Sequence, residues 1–456
     1  MQFDKIKTIF KNSRITRNPF LLFLPFLLLY TGFVSLLHSN TLWGDEIRHY
    51  ISAQDLLNGF YSPAPPNISL ETGPGYPLLI LPFLKFHLPL ICIKLLNAVF
   101  QYLSIIFLFK ALLHVVSFRT ALIFCLFWGS YFNHLDFIAF LYAESLSIFL
   151  TSLLLFFIIK AFNKNELRNT RKYFYLAGIT LGYLALTKVI FGYIIIFMLI
   201  CTGLLWIISR RSANYGRVAY ILLIAFATTS PYLIYTYQLT GRIFYWGTSG
   251  GNNLYWMSNP VKEEYGDWLP TPKSDSILLI SEAIETETKS IVTIKNNSKK
   301  YYARGMADSI RLHHQKDFEI INSYKGVEKD DAYKSIMISN IKSHPGKFMI
   351  NWISNVGRIL FNYPYSYTYQ KPTTLLRLPH NGIIVILMIC CLIPTLVHWR
   401  KIIFPIRFML FFILIYLGAS SLGSAETRMF TVVVPMLLFW IAFIIRKSIT
   451  IKIKEW

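Results

Sequence analysis

Two adjacent carboxylates, Asp45 and Glu46, stand just beyond the first long apolar run, which covers about residues 19–37. The residues around them are WGDEIRHY at 43–50, a pattern that suits a short amphipathic helix. A carboxylate on the polar face of such a helix can take a proton from a hydroxyl or an amine, the task of a general base. The alternative is structural, with Asp45 capping the helix and Glu46 solvated. We predict Asp45 and Glu46 as the candidate catalytic pair.

Glu71 begins the turn ETGPGYP at 71–77, directly before another apolar stretch. Glycine and proline impose an irregular backbone there, and such a backbone can hold Glu71 at the wall of a cleft. A plain turn with an exposed glutamate explains the same residues equally well. We predict Glu71 and the neighbouring Tyr76 as substrate-binding residues.

Four more charged residues, Asp136, Glu144, Lys188 and Arg428, lie near the ends of apolar runs. Burying a carboxylate beside an apolar span is costly, so Glu144 is a candidate site residue unless it meets water or pairs with a neighbour. Lys188 suits an anionic partner such as a lipid phosphate, although a lysine extended towards the headgroups gives the same pattern. Arg428 can bind a phosphate through its planar guanidinium, or pair locally with Glu426. We predict all four as substrate-binding.

The composition indicates which elements position these residues. With 54% hydrophobic and 15% charged residues over 456 positions, the chain is too apolar for a soluble protein of this size. Its apolar runs are long enough to cross a hydrocarbon core of about 30 Å as helices. We predict an all-α polytopic membrane protein with about ten or more transmembrane helices. The predicted spans are residues 19–37, 91–113, 119–133, 141–160, 173–189, 190–209, 218–238, 378–398, 407–423 and 430–446.

The net charge of +22 comes from Lys and Arg in short loops rather than on one folded surface, which indicates membrane topology and argues against nucleic acid as a partner. The basic segments are the N-terminus, the loops near 164–172 and 210–217, the turn at 400–407 and the C-terminal tail. The positive-inside rule assigns these segments, and with them both termini, to the cytoplasm. All the candidate site residues then face the opposite, extracytoplasmic side.

The chain divides into three predicted regions. Residues 1–238 form a transmembrane catalytic module whose first extracytoplasmic loop covers about 38–90. Residues 239–377 are polar enough to fold partly outside the bilayer, and their amphipathic stretch at 348–361 is expected to lie at the interface. Residues 378–456 supply the last transmembrane helices.

In order and spacing, these motifs resemble the C-type glycosyltransferase superfamily, in particular the branch of protein mannosyltransferases and aminoarabinose transferases. The resemblance extends over most of the chain. The matching pieces are Gly44-Asp45-Glu46, the 71–77 turn, Ala143-Glu144-Ser145-Leu146, Leu186-Thr187-Lys188, the segment 250–255, His344-Pro345 and Glu426-Thr427-Arg428.

The resemblance implies an inverting transferase at the outer membrane face that takes its sugar from a polyprenyl-phosphate carrier. Asp45 looks like the catalytic carboxylate, and Lys188 and Arg428 look like the residues that meet the donor phosphate. Glu71 matches a residue that helps some members hold a divalent metal, so a metal stays open as a cofactor. The family often has Lys-Pro-Pro or His-Pro-Pro where this chain has Thr-Gly-Pro at 72–74, and no second metal ligand is evident.

Two other functions remain open at this stage. A transporter or flippase of lipid-linked glycans would be expected to carry polar residues near the bilayer midplane, whereas here they gather at helix ends. A membrane glycan polymerase or ligase would also face outward, but the Asp-Glu pair after the first span does not favour it. The expected location is the plasma (inner) membrane, and the expected partners are the bilayer, a lipid-linked sugar donor and a glycan, lipid or protein acceptor.

Overall fold

The computed structural model describes residues 18–42, 44–163, 170–209, 211–269, 293–294, 306–366, 374–423 and 425–448. The chain is an α-helical polytopic membrane protein, as predicted. The basic residues of the N-terminus, Lys164 and Arg168 of the first basic loop, and Lys452 and Lys454 of the C-terminal tail lie outside the described residues.

The helices follow one another along the chain, with the longest connections between Leu57 and Gly75 and between Met257 and Met306. In the N-terminal half they are α1 (Pro19–Leu22), α2 (Leu24–Leu37), α3 (Asp45–Leu57), α4 (Gly75–Lys85), α5 (Leu90–Leu112), α6 (Phe118–Gly129), α7 (Leu135–Ile138), α8 (Glu144–Ala161), α9 (Thr170–Thr187), α10 (Ile190–Ile208) and α11 (Ala213–Thr240). The rest are α12 (Gly250–Met257), α13 (Met306–Asn322), α14 (Gly326–Ser343), α15 (Pro345–Phe361), α16 (Thr374–Val397), α17 (Phe404–Ser421) and α18 (Thr427–Ser448).

Within the described residues, seven helices are long and apolar enough to cross a membrane, or eight if the bent pair Phe118–Gly129 and Phe132–Ile138 counts as one span. The seven are α5, α8, α10, α11, α16, α17 and α18. The two remaining predicted spans are also helical, as α1 with α2 and as α9. The first of them breaks at Phe23, between two short helices that each have a proline in the first turn.

Helix α18 lies at the centre of the bundle and is the most buried of the candidate spans, whereas α16 is the most exposed. Helix α8 packs against α5, α9 and α18, and α9 packs against α11. Because apolar side chains are buried on nearly every face of α18, this helix is surrounded by protein rather than by lipid.

A smaller core lies outside the bundle, in the segment that the sequence assigns to the extracytoplasmic region. Helices α12, α13 and α14 and the segment after α12 contribute its buried side chains, which are Tyr255, Trp256, Leu269, Phe318, Ile321 and Tyr333. Two short parallel strands, β1 (Thr41–Leu42) and β2 (Thr293–Ile294), join this segment to the chain just before α3. The outer segment is therefore attached beside the candidate catalytic pair.

Helix α15 buries polar side chains and exposes apolar ones, the opposite of what a surface helix in water would show. Its asparagines at 351 and 355 and Arg358 are buried and donate hydrogen bonds to backbone carbonyls, while Met349 and Ile353 are 47% and 68% exposed. An outward apolar face and an inward polar face suit a helix that borders lipid. The predicted amphipathic stretch at 348–361 is a helix of this kind.

Candidate active site

Gly44 sets the start of α3 and therefore the position of Asp45. Its backbone has φ +59°, a left-handed conformation that glycine adopts without the steric cost of a Cβ. The chain turns sharply there, and Asp45 and Glu46 become the first residues of α3. Carboxylates in the first turn interact favourably with the positive end of the helix dipole.

The loop that carries Glu71 lies against the end of α9, close to Lys188. A Cβ at Gly73 would lie 2.1 Å from the carbonyl oxygen of Leu186, a distance that no side chain tolerates. The hydroxyl of Tyr183 donates a 2.8 Å hydrogen bond to the carbonyl of Gly75, which fixes the same turn. The glycines of the 71–77 turn are therefore needed for the close approach of this loop to α9.

The candidate residues join in one continuous series of ion pairs. Glu71 Oε2 lies 2.8 Å from Nε of Arg48, and Arg48 Nη1 lies 3.0 Å from Oδ1 of Asp45. The other oxygen of Asp45, Oδ2, lies 2.7 Å from Nη1 of Arg428. Arg428 Nη1 is in turn 3.5 Å from Oε1 of Glu144. Three segments far apart in the sequence thus converge at one end of the bundle.

Glu144 completes the series with Lys188. Its Oε1 lies 2.8 Å from Nζ of Lys188, which follows the last residue of α9. Glu144 is the first residue of α8, and Arg428 is the second residue of α18. Because every member lies at a helix end or in an adjoining loop, the cluster occupies one end of the bundle, which we call the site end.

Arg428 contacts three carboxylates of the cluster. Its Nε lies 2.5 Å from Oε2 of Glu426, in addition to its contacts with Asp45 and Glu144. Its guanidinium carbon lies 5.1 Å from the centre of the Tyr142 ring, within cation–π distance. The local pair with Glu426 considered from the sequence is thus present together with the contacts expected of a site residue.

The charge states at the site follow from burial and from the neighbouring cations. Burial raises the pKa of Asp45, but the charges of Arg428 and Arg48 outweigh it and hold that pKa well below its ordinary value. Burial is also the largest influence on His49, one turn further along α3, and it lowers the pKa of the imidazole from 6.5 to about 4. At neutral pH, Asp45 is a carboxylate and His49 is uncharged.

Glu46 points away from this cluster. Its side chain is fully buried and accepts a 2.9 Å hydrogen bond from the backbone N–H of Leu141, and its Oε1 lies 3.4 Å from Nζ of Lys94. Lys94 also donates to the carbonyl of Ser39 at 2.7 Å. The prediction that Glu46 stands beside Asp45 at the reacting centre does not agree with this placement, because adjacent residues of a helix point about 100° apart.

Asp136 and Tyr76 border the cluster without joining it. Asp136 Oδ2 lies 2.5 Å from Nη2 of Arg377, whose Nη1 is 3.4 Å from the hydroxyl oxygen of Thr427. The Tyr76 side chain is fully buried, and its ring lies edge-on to His49 at 4.9 Å. Tyr76 therefore supports the wall behind α3, whereas Asp136 reaches the cluster only through Arg377 and Thr427, the residue before Arg428.

Sequence reasoning missed Arg377 and Trp268, and it placed Arg48 and His49 on the polar face of the predicted helix without assigning them to the site. Arg48 bridges Asp45 and Glu71, and the ring of Trp268 lies 5.7 Å from its guanidinium carbon. The spacing of Asp45 and Arg48, three residues apart on a helix, was a usable signal for their pairing. No comparable signal existed for Trp268, because its contact joins the outer segment to α3.

The residues around Glu71 do not fit a metal site. Its carboxylate is paired with a guanidinium, and no three His, Cys, Asp or Glu side chains gather closely enough to hold a metal ion anywhere in the described part of the chain. We therefore derive no step through a metal.

No protein-family model and no curated protein matches the chain. Among solved structures it is similar to ArnT from Cupriavidus metallidurans, bound to undecaprenyl phosphate, with 12% identity over 92% of this chain and 77% of that one and a TM-score of 0.41. It is also similar to the apo state of the same protein, with 13% identity over 93% and 76% and a TM-score of 0.40. Similarity at this level does not identify site residues.

Proposed function

We propose that this protein is a membrane glycosyltransferase that moves a sugar, with inversion, from a polyprenyl-phosphate carrier to an acceptor at the membrane surface. The observation that carries the proposal is the series of ion pairs that joins Glu71, Arg48, Asp45, Arg428, Glu144 and Lys188 at the site end. It combines a carboxylate suited to accept a proton with two cations suited to receive a phosphate.

Lys188 and Arg428 would meet the donor phosphate. Their side chains are 16% and 20% exposed, so each is reachable and yet largely withdrawn from water. As the acceptor attacks the sugar, the bond between the anomeric carbon and the phosphate oxygen breaks and its electron pair stays on the phosphate. Cations already in place stabilise this growing negative charge without reorganising, which is the most effective form of electrostatic catalysis.

Asp45 would take the proton that the acceptor hydroxyl or amine loses. With two guanidiniums bound to it, the carboxylate is a weak base. Once the donor phosphate draws Arg428 away, Asp45 keeps only Arg48 as a cationic partner, and its affinity for a proton rises. Donor binding would in this way prepare the base before the acceptor reacts.

The test replaces Asp45 with Asn in the purified full-length protein. Transfer would be assayed with a panel of radiolabelled polyprenyl-phosphate sugars and membrane-extracted acceptors. Loss of a general base is expected to reduce kcat by about 10²- to 10⁴-fold, with donor binding retained.

Asp55→Asn is the matched control, because Asp55 lies on the same helix α3 but outside the ion-pair series. It should transfer sugar at the wild-type rate. Undiminished transfer by Asp45→Asn would remove the catalytic assignment. Carrier-dependent movement of the lipid-linked sugar across vesicle membranes, without transfer, would instead identify a flippase.

A further inference from the structure

Glu144 occupies the space between the two cations proposed to receive the phosphate. One of its oxygens, Oε1, is 2.8 Å from Nζ of Lys188 and 3.5 Å from Nη1 of Arg428, and its side chain is only 4% exposed. Any anion that binds both cations must therefore come close to this carboxylate or displace it. In the proposed reaction, that anion is the carrier phosphate.

The cluster has no surplus of positive charge to absorb a second anion. It contains one more carboxylate than cations, since the acids are Asp45, Glu71, Glu144 and Glu426 and the bases are Arg48, Lys188 and Arg428. Among these acids, Glu144 has the strongest electrostatic interaction with Lys188, because it is in direct contact with the ammonium and is shielded from water.

The carrier changes charge during the proposed reaction. The sugar-bearing donor is a phosphodiester with one negative charge, whereas the spent carrier is a phosphomonoester whose second pKa is about 6. At pH 7 to 8 the product thus carries close to two negative charges. A fixed carboxylate beside the phosphate repels the product more strongly than the donor.

We propose that Glu144 makes the site discriminate against the polyprenyl monophosphate, so that the spent carrier leaves once the sugar has been transferred. This inference rests on the proposed function. Glu144 thereby sets which form of the carrier stays bound, a role beyond the substrate binding predicted from the sequence.

Among the groups near Glu144, the bound phosphate is the one whose charge changes between pH 5 and pH 8. Asp45 stays ionised because its pKa lies well below its ordinary value, and His49 stays neutral because its pKa is about 4. The remaining neighbours are two tyrosines, Tyr76 and Tyr416, and two cations, Lys188 and Arg428.

The first experiment uses the wild-type protein in lipid nanodiscs and two probes, undecaprenyl phosphate and its methyl diester. At pH 8 the diester should bind about tenfold more tightly than the monoester, because one charge less is repelled. At pH 5 both probes carry one charge and their dissociation constants should agree to within about threefold.

The second experiment repeats both titrations with Glu144→Gln. The monoester should then bind about tenfold more tightly at pH 8, and the preference for the diester should disappear. Glu426→Gln is the matched control, because it makes the same change at a carboxylate that also pairs with Arg428. The Glu426 side chain, however, is 41% exposed. Screening by water should keep its effect below about threefold.

Tighter binding of the monoester by the wild-type protein at pH 8 would overturn the inference without any variant, so the test survives poor folding of Glu144→Gln. An unchanged preference in a folded Glu144→Gln protein would overturn it as well. If the wild-type protein binds neither probe, or if it binds them and Lys188→Met leaves their affinity unchanged, the proposed function itself fails. Binding that depends on Lys188, with a preference independent of Glu144, would leave the proposed function standing.

Discussion

At the scale of single residues, the guanidinium of Arg428 connects three carboxylates that come from three segments of the chain. Asp45 begins α3, Glu144 begins α8, and Glu426 precedes α18. A lysine could not replace it, because an ammonium lacks the planar fork that reaches these partners together. A ligand that engages Arg428 therefore alters the electrostatic environment of all three carboxylates at once.

His49 gives a pH-dependent contribution to stability. Its pKa is about 4 in the folded protein against 6.5 ordinarily, so between these values the unfolded chain binds a proton that the folded protein does not. This contribution to the free energy of unfolding is complete above pH 6.5. It is lost as the pH falls towards 4, at about 1.4 kcal/mol per pH unit. His49→Gln should flatten this part of the profile.

Thermal denaturation of the two proteins in detergent between pH 7.5 and pH 4.5 measures the effect. The wild-type midpoint should fall more steeply with acidification than that of His49→Gln. Parallel curves would show that His49 is equally easy to protonate in both states.

At the scale of elements, a buried pair aligns the helices that carry the site. Glu46 of α3 bonds to the N–H of Leu141, in the turn before α8, and lies beside Lys94 of α5. Asn97 of α5 donates to the carbonyl of Phe140 in the same turn at 2.7 Å. Through these contacts α5 holds Asp45 and Glu144 at a fixed separation, so we assign Glu46 a positioning role.

Glu46→Gln should destabilise the protein by about 3–5 kcal/mol, because Lys94 would keep a buried charge without its counter-ion. Adding Lys94→Met should recover most of that loss. Thermal stability of the single and double variants measures the coupling, and transfer activity should follow stability through the series.

If Glu46 were instead a catalytic residue, the double variant would regain stability and remain inactive. A second contradiction would be a Glu46→Gln protein as stable as the wild type, which would show that the pair does not hold α3 against α5.

The sequence predicted the helices well because a long apolar run can satisfy its backbone in lipid only as a helix. It also predicted five members of the ion-pair series, since charges at the ends of apolar runs are costly without a partner. It did not predict that Glu46 faces Lys94, because neighbouring carboxylates look alike until the orientation of α3 is known. The contact of Trp268 with Arg48 could not be predicted from the sequence either, since it depends on how the outer segment folds back.

At the scale of the whole molecule, two helices that carry site residues at one end have basic residues at the other. Helix α8 begins at Glu144 and ends beyond Lys160, and α18 begins beside Arg428 and ends beyond Arg446. If the positive-inside rule holds, the site end faces out of the cytoplasm.

Cysteine labelling tests this orientation. In a background without the five native cysteines, Asn58→Cys at the exposed end of α3 should react with a membrane-impermeant maleimide added outside intact cells. Lys401→Cys, in the exposed turn between α16 and α17, should react only after the membrane is opened. Labelling of both positions from the outside would contradict the orientation.

Under the proposed function, helix α15 would determine how the protein meets its lipid substrate. Its Asn355 holds the carbonyls of Ser421 and Gly423 in the turn before Arg428, while its apolar face looks outward. If that face borders lipid, the site end lies level with the membrane surface, and the proposed polyprenyl carrier would reach it by lateral diffusion within one leaflet. The encounter rate is then governed by the number of carrier molecules per unit of membrane area. Diluting the carrier with added phospholipid, at constant bulk amounts of protein and carrier, should slow turnover in proportion.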